Sequence, residues 1–210
     1  VVSIKISTLY SQISPLAREH TVSVLCDRLE RLFRTADRAQ FVRPDGTSVP
    51  KFVYLDMEEY RDKELTAAAF MRTLDRDGLQ HVRAGIALQS YIPDSFRTLL
   101  QLQQWARRRV ESGGGRITIR LVKGANMESE RAESSVRGWP QAPYQTKLET
   151  DANYKRMVHE VLKPGNLAAM NVGVASHNLF DLAYGLVLAH ERNAIDKVQF
   201  EMLEGMANAQ

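Results

Sequence analysis

Five apolar runs of this chain each carry a charged or amide side chain at or near the C-terminal end. Lys5 lies in Val1–Ser7, Asp56 in Phe52–Met57, Gln89 in Arg83–Gln89, Arg120 in Arg116–Val122 and Glu201 in Val198–Leu203. Buried parallel strands normally read as plain Val/Ile/Leu runs, so a polar group at the end of one run means little. Its recurrence in successive runs points to strand ends that converge on a site. A Lys, an Arg and an Asp in a partly desolvated mouth could bind a carboxylate and hold opposite charges in place. Gln89 offers a donor and an acceptor suited to a heterocycle edge. Lys123-Gly124-Ala125 falls where a strand meets a helix, where backbone amides and a lysine can meet a phosphate. His177, just beyond another apolar run, could donate to a phosphate or a ring carbonyl. Taken singly each has a plainer reading, since a lone Asp–Arg pair is usually structural and a lone His usually a satisfied histidine.

The segments that must position these residues alternate between strand-like and helical periods. After the first run, Ser14-Pro15 reads as a helix cap with proline at the first helical position, and Val22, Leu25, Leu29, Leu32 and Phe33 share one face of that helix. Asp45-Gly46 marks a turn. A helix is expected from Asp62 to Arg76, closed by Gly78, and another after Pro93-Asp94 carrying Phe96, Leu99, Leu100 and Leu102. Gly113-Gly114-Gly115 reads as a turn, because no Lys-Ser/Thr comes after it as a phosphate loop requires. A helix begins near Asn126, and a Pro-containing stretch from Gly138 to Thr146 separates it from another over Thr150–Lys163. The run Ala168–Ser176 precedes a helix from Leu179 to Arg192 and a last run, Lys197–Leu203.

Six such β-then-α units imply a parallel sheet with helical cover, either a doubly wound open sheet or a (β/α)8 barrel. Strand parity favours the barrel. In Arg116–Lys123 one face holds Ile117, Ile119 and Leu121, and the other Arg116, Thr118, Arg120 and Val122. The same split separates Lys5, Ser3 and Ser7 from Ile4 and Ile6, and Gln199 and Glu201 from Val198, Phe200 and Met202. A barrel has one such polar interior, with its chemistry at the strand C-termini.

At 210 residues and 44% hydrophobic the chain can bury a sizeable core as one domain or two. The formal charge of +3 raises a nucleic-acid or anionic-surface reading. The basic residues are nonetheless dispersed among acidic ones, and the one cluster, Arg107-Arg108-Arg109, reads as a solvated helix end. A single cysteine, Cys26, sits on the apolar stripe of its helix, so an internal disulfide is excluded and a reducing compartment fits. No run is long enough for a membrane-spanning helix. The paired-Cys metal spacing, His-Glu-x-x-His and Gly-x-Ser-x-Gly patterns are all absent.

Arg120-Leu121-Val122-Lys123-Gly124-Ala125, with Glu128-Ser129-Glu130 just after it, resembles the signature of flavin-dependent proline dehydrogenases, a family that includes the catalytic domain of proline utilisation A. Ile4-Lys5-Ile6-Ser7, Leu55-Asp56-Met57-Glu58, Ala175-Ser176-His177-Asn178 and Phe200-Glu201 fall in the family's order. The resemblance covers nearly the whole chain. It implies an α/β (β/α)8 barrel over 1–210, with six of its eight units in this chain, strands two to seven. It also implies FAD bound non-covalently and oxidation of L-proline to pyrroline-5-carboxylate. On this resemblance Lys5 meets the proline carboxylate, Asp56 holds the cationic groups, and Arg120 sits by the flavin N5 that accepts hydride. Gln89 and the Met57 backbone would contact the pyrimidine edge. Val122, Lys123, Gly124 and Ala125 would run along the ribityl and diphosphate, and Ser176 with His177 would close the other side. The implied partners are L-proline, a quinone or other electron acceptor and, in some members, an aldehyde dehydrogenase domain. No nucleic acid is implied for this segment, and the implied setting is the cytoplasm, extending to the inner face of the membrane.

Two departures stand out. Where many members have an aromatic pair after Lys-Gly-Ala, this chain has Asn126-Met127. The family's substrate-clamping arginine pair, on its last strand and helix, lies outside these residues, so weak or absent proline turnover is expected from the piece alone. Two other readings remain open from the residues themselves. One is a lyase or aldolase using Lys5 as a Schiff-base amine; the other is a non-enzymatic binder of nucleic acid or a membrane surface.

Overall fold

The computed structural model describes residues 1–205, so the last five positions of the expected 1–210 domain lie outside the described residues. The elements run β1 (Val2–Lys5), α1 (Ile6–Leu9), α2 (Arg18–Arg38), β2 (Gln40–Val42), β3 (Ser48–Pro50), β4 (Val53–Asp56), α3 (Lys63–Leu74), β5 (Gly85–Gln89) and α4 (Ser95–Glu111). They continue with β6 (Ile117–Val122), α5 (Met127–Arg137), α6 (Lys147–Val161), α7 (Pro164–Leu167), β7 (Met170–Ala175), α8 (Leu179–Glu191) and β8 (Val198–Glu201).

Six strands form one parallel sheet in the order β1-β4-β5-β6-β7-β8. Each new strand adds beside the last, so the sheet grows in one direction only. A doubly wound sheet reverses direction at a switch point, and this one does not; among the described residues the sheet is a barrel wall that does not close. Helices α2, α3, α4, α6 and α8 succeed one another along its outer face. Ile117, Ile119 and Leu121 of β6, Ile86 and Leu88 of β5, and Val172 and Val174 of β7 are buried in the core beneath them. The face parity read from the sequence for Arg116–Lys123 therefore holds, whereas Ile6 and Met202, counted in the same way, lie outside the strands.

The inner face is concave. Tyr54 on β4 donates its hydroxyl to Glu201 on β8 at 3.1 Å, yet those strands stand four places apart in the sheet. In a flat sheet that separation would be about 19 Å, more than the two side chains span, so the wall must curve. Gly85, opposite Tyr54 in the β4–β5 register, permits the curve's filling, because a Cβ there would overlap the Tyr54 ring.

Several boundaries differ from the sequence reading for local reasons. Ile6 turns out of the first strand into α1, where it is buried. The Asp45-Gly46 turn belongs to a β2–β3 hairpin, with Gly46 at φ 82°. Helix α6 starts earlier than Thr150, because Thr146 and Glu149 form a reciprocal capping box. Arg109 is a correction to the solvated reading of Arg107-Arg108-Arg109. It is buried and donates to the carbonyls of Leu74, Leu79, Gln80, Val82 and Gly115, closing the end of α3 and the loop after it. Cys26 is buried in the core as expected.

Candidate active site

The inner-face side chains of the sheet meet at the C-terminal ends of its strands. Arg120, on β6, is the hub. Its guanidinium is paired with Asp56 of β4, lies 3.3 Å from Glu201 of β8 and 3.3 Å from the Ser3 hydroxyl of β1. It also stacks over the Tyr54 ring, 4.5 Å from the centroid. Gly173, beside Arg120 on β7, is what lets this cluster form: a Cβ there would lie 2.5 Å from a Glu201 carboxylate oxygen and 3.3 Å from the Arg120 Cβ. Burial, together with the Glu201 carboxylate, pushes the Tyr54 hydroxyl well above the ordinary phenol range, so it stays a donor to Glu201. Side-chain exposures of 17% for Arg120, 24% for Asp56 and 27% for Glu201 place the cluster in a recess open on one side.

Lys5 belongs to a second pair. The resemblance gives Asp56 to both cations, whereas here Asp56 takes Arg120 and the Ser3 hydroxyl, and Lys5 pairs with Glu58 at 3.1 Å. Ser7 donates to the other Glu58 oxygen at 2.5 Å. Hydrogen bonds from Ser7 and Lys5 hold the Glu58 carboxyl below its ordinary range. Sequence reasoning missed Glu58 because it lies just past the strand; its spacing of two from Asp56 was the available signal. Gln89 is buried, and its amide nitrogen donates to the carbonyls of Met57 at 3.2 Å and Glu58 at 3.3 Å. The two expected neighbours, Gln89 and the Met57 backbone, are thus together.

The third group surrounds the turn after β6. Gly124 has φ 115°, and a Cβ there would run into the buried Tyr91 ring, so only glycine fits the turn. Val122 is half-buried on the inner face, while Lys123 points the other way. The Lys123 ammonium sits between Asp151, at 2.5 Å, and Asp181, at 2.7 Å. Against the burial that would lower it, these carboxylates hold the Lys123 amine above its ordinary value. Asp181, itself buried, also accepts from Ser176 at 3.2 Å. The network ties the ends of β6 and β7 to α6 and α8. His177 accepts the Leu203 backbone N–H at Nε2, 3.1 Å away, an arrangement that in the neutral ring makes Nδ1 the donor. Among the described residues neither that Nδ1 nor Arg120 Nε, both buried, has a hydrogen-bond partner.

The comparisons give this geometry a lineage. The family model described as proline dehydrogenase matches residues 2–210. The chain belongs to the proline dehydrogenase family. A proline dehydrogenase from Deinococcus radiodurans is 31% identical over 155 residues, which cover 74% of this chain and 42% of that protein. Proline utilisation A from Corynebacterium freiburgense superposes with a TM-score of 0.89 at 42% identity, over 99% of this chain and 21% of that one. Proline utilisation A from Bdellovibrio bacteriovorus, in a structure inactivated by N-propargylglycine, gives 0.85 at 35% identity, over 98% of this chain and 20% of that one. The chain thus spans less than half the length of the curated relative and about a fifth of the solved chains it matches.

Proposed function

We propose that the protein of which this chain forms the catalytic wall oxidises L-proline to pyrroline-5-carboxylate with FAD. The observation that carries the reading is the shared hold on Arg120 by strands that are distant in the sheet, at the mouth of a proline dehydrogenase wall. In the reaction a hydride leaves the ring Cδ of proline, a proton leaves the ring nitrogen, and the carbon–nitrogen bond becomes double. FAD, when bound, supplies the hydride acceptor.

The residues present fit a flavin. Among the described residues His177 Nδ1 and Arg120 Nε are buried donors with no hydrogen-bond partner, and the turn at Gly124 packs its backbone directly against the Tyr91 ring. Gln89, with the Met57 backbone, would hold the polar ring edge. Val122, Gly124 and Ala125 would line the chain of the cofactor, with Ser176 and His177 opposite. Lys123 contributes by holding this turn to Asp151 and Asp181, since its charge is already balanced there.

The protein's part is position and charge. Asp56 and Glu201 fix the Arg120 guanidinium, which favours negative charge developing beside it. Lys5 provides the cation for the proline carboxylate, and Glu58 keeps that ammonium from swinging. Lys5 pairs with a carboxylate instead of being desolvated alone, which argues against a Schiff-base role.

The test is turnover of L-proline by the full-length protein with an artificial electron acceptor, the product read by mass spectrometry. A cyclic imine two mass units below proline is expected, and Arg120→Met should lose most of the rate. A wild-type protein that consumes no proline would overturn the reading.

A further inference from the structure

The segment after β4, Met57 to Tyr60, has little regular structure of its own, and its backbone polar groups still need partners. Side chains from the next two β/α units supply them. Gln89, at the end of β5, donates to the carbonyls of Met57 and Glu58. Asn126, in the turn after β6, donates its amide to the Glu58 carbonyl at 2.8 Å. Glu130, in the first turns of α5, accepts the Tyr60 N–H at 2.7 Å. The Glu58 carbonyl therefore takes two side-chain donors, while its carboxylate faces Lys5 and Ser7.

We propose that Asn126 is a positioning residue for substrate binding: through the Glu58 backbone it holds the Glu58 carboxylate against Lys5, and so sets where Lys5 meets the substrate carboxylate. This rests on the proline reading. The residue type is the one the geometry demands. An amide donates to a carbonyl, whereas Asp in the same shape presents acceptors to an acceptor. The bond crosses from the β6–α5 turn to the β4–α3 connection, so it couples the Lys-Gly-Ala turn to the substrate end of the mouth.

The experiment compares full-length wild type with Asn126→Ala and Asn126→Asp. Losing one net hydrogen bond of about 1 kcal/mol corresponds to a KM for L-proline raised about 3- to 10-fold. We expect kcat and bound flavin within about twofold of wild type, and the effect of Asn126→Ala should vanish in a Glu58→Ala background, because Asn126 acts through Glu58. A merely structural residue would lower kcat and flavin content with KM unmoved, and that result would overturn the proposal. A second readout needs no turnover. Reductive methylation with carbon-13 formaldehyde labels Lys5, and its resonance should move in Asn126→Ala and Asn126→Asp. An unmoved Lys5 resonance refutes the positioning role whatever the substrate proves to be. Failure of the wild type to oxidise proline, with Lys5 shifted in both variants, would refute the proline reading while sparing the Asn126–Glu58–Lys5 coupling.

Discussion

Arg120 is held by two carboxylates from strands on either side of the wall, and this predicts how substitutions there combine. In Arg120→Met, Asp56 and Glu201 lose their shared cation and are left facing one another across the recess. An ion pair of unit charges about 4 Å apart near a protein surface, the kind Arg120 makes with each carboxylate, attracts by about 4 kcal/mol at an effective dielectric of 20. Side-chain exposures of 17–27% and the cost of desolvation reduce the net, so about 2–3 kcal/mol of lost stability is expected for Arg120→Met. Glu201→Gln keeps an acceptor for the Tyr54 hydroxyl and loses only the ionic part, about 1 kcal/mol. In the double variant the stranded repulsion disappears, so the summed single costs should exceed the double by about 1 kcal/mol or more. The assay is urea unfolding monitored by fluorescence of Trp105, a buried reporter packed on Phe70, with midpoints compared at constant slope. Additivity within about 0.3–0.5 kcal/mol would mean that Glu201 and Arg120 do not share a site. The curvature that the Tyr54–Glu201 bond requires would then fall with it.

The same geometry sets three further expectations. Arg109→Met should lower stability by about 3–5 kcal/mol in the same urea assay, because several buried carbonyls lose one charged donor; a loss under about 1 kcal/mol would contradict that. Gly124→Ala needs a positive φ and meets the Tyr91 ring, so purified full-length protein should retain little flavin, and full retention would show the turn tolerates a side chain. Glu58 has a lowered carboxyl pKa. The stability it contributes is fully present above its ordinary value of 4.5 and is lost as pH falls through the folded value. Melting temperatures measured from about pH 6 down to 3 should therefore fall less steeply in Glu58→Gln than in wild type; parallel curves would remove Glu58 from the pair.

The strand ends were legible because Lys5, Asp56, Gln89, Arg120 and Glu201 each lie at or near the end of an apolar run, and for Lys5, Arg120 and Glu201 period-two alternation also declares a shared face. Their pairing was not. Alternation cannot say whether Lys5 meets Asp56 or Glu58, because the answer depends on where the chain turns after β4, and Gln89, Asn126 and Glu130 decide that turn. Tyr54 was equally hidden, since an aromatic residue in an apolar run reads as core until the sheet's curvature brings its hydroxyl to β8. Arg109 failed for the converse reason. Its neighbours Arg107 and Arg108 look like a solvated end, and only the fold reveals the carbonyls converging on one guanidinium. The network of Lys123 with Asp151 and Asp181 joins residues far apart in the chain, at no spacing a local pattern reports.

The central claim is that these strand ends hold a flavin where proline can reduce it. The measurement that tests it most directly is the visible spectrum of the purified full-length protein before and after anaerobic L-proline. A flavin band that bleaches on adding proline is the expected result. A protein that binds no flavin, or one whose band proline leaves unchanged, would contradict it.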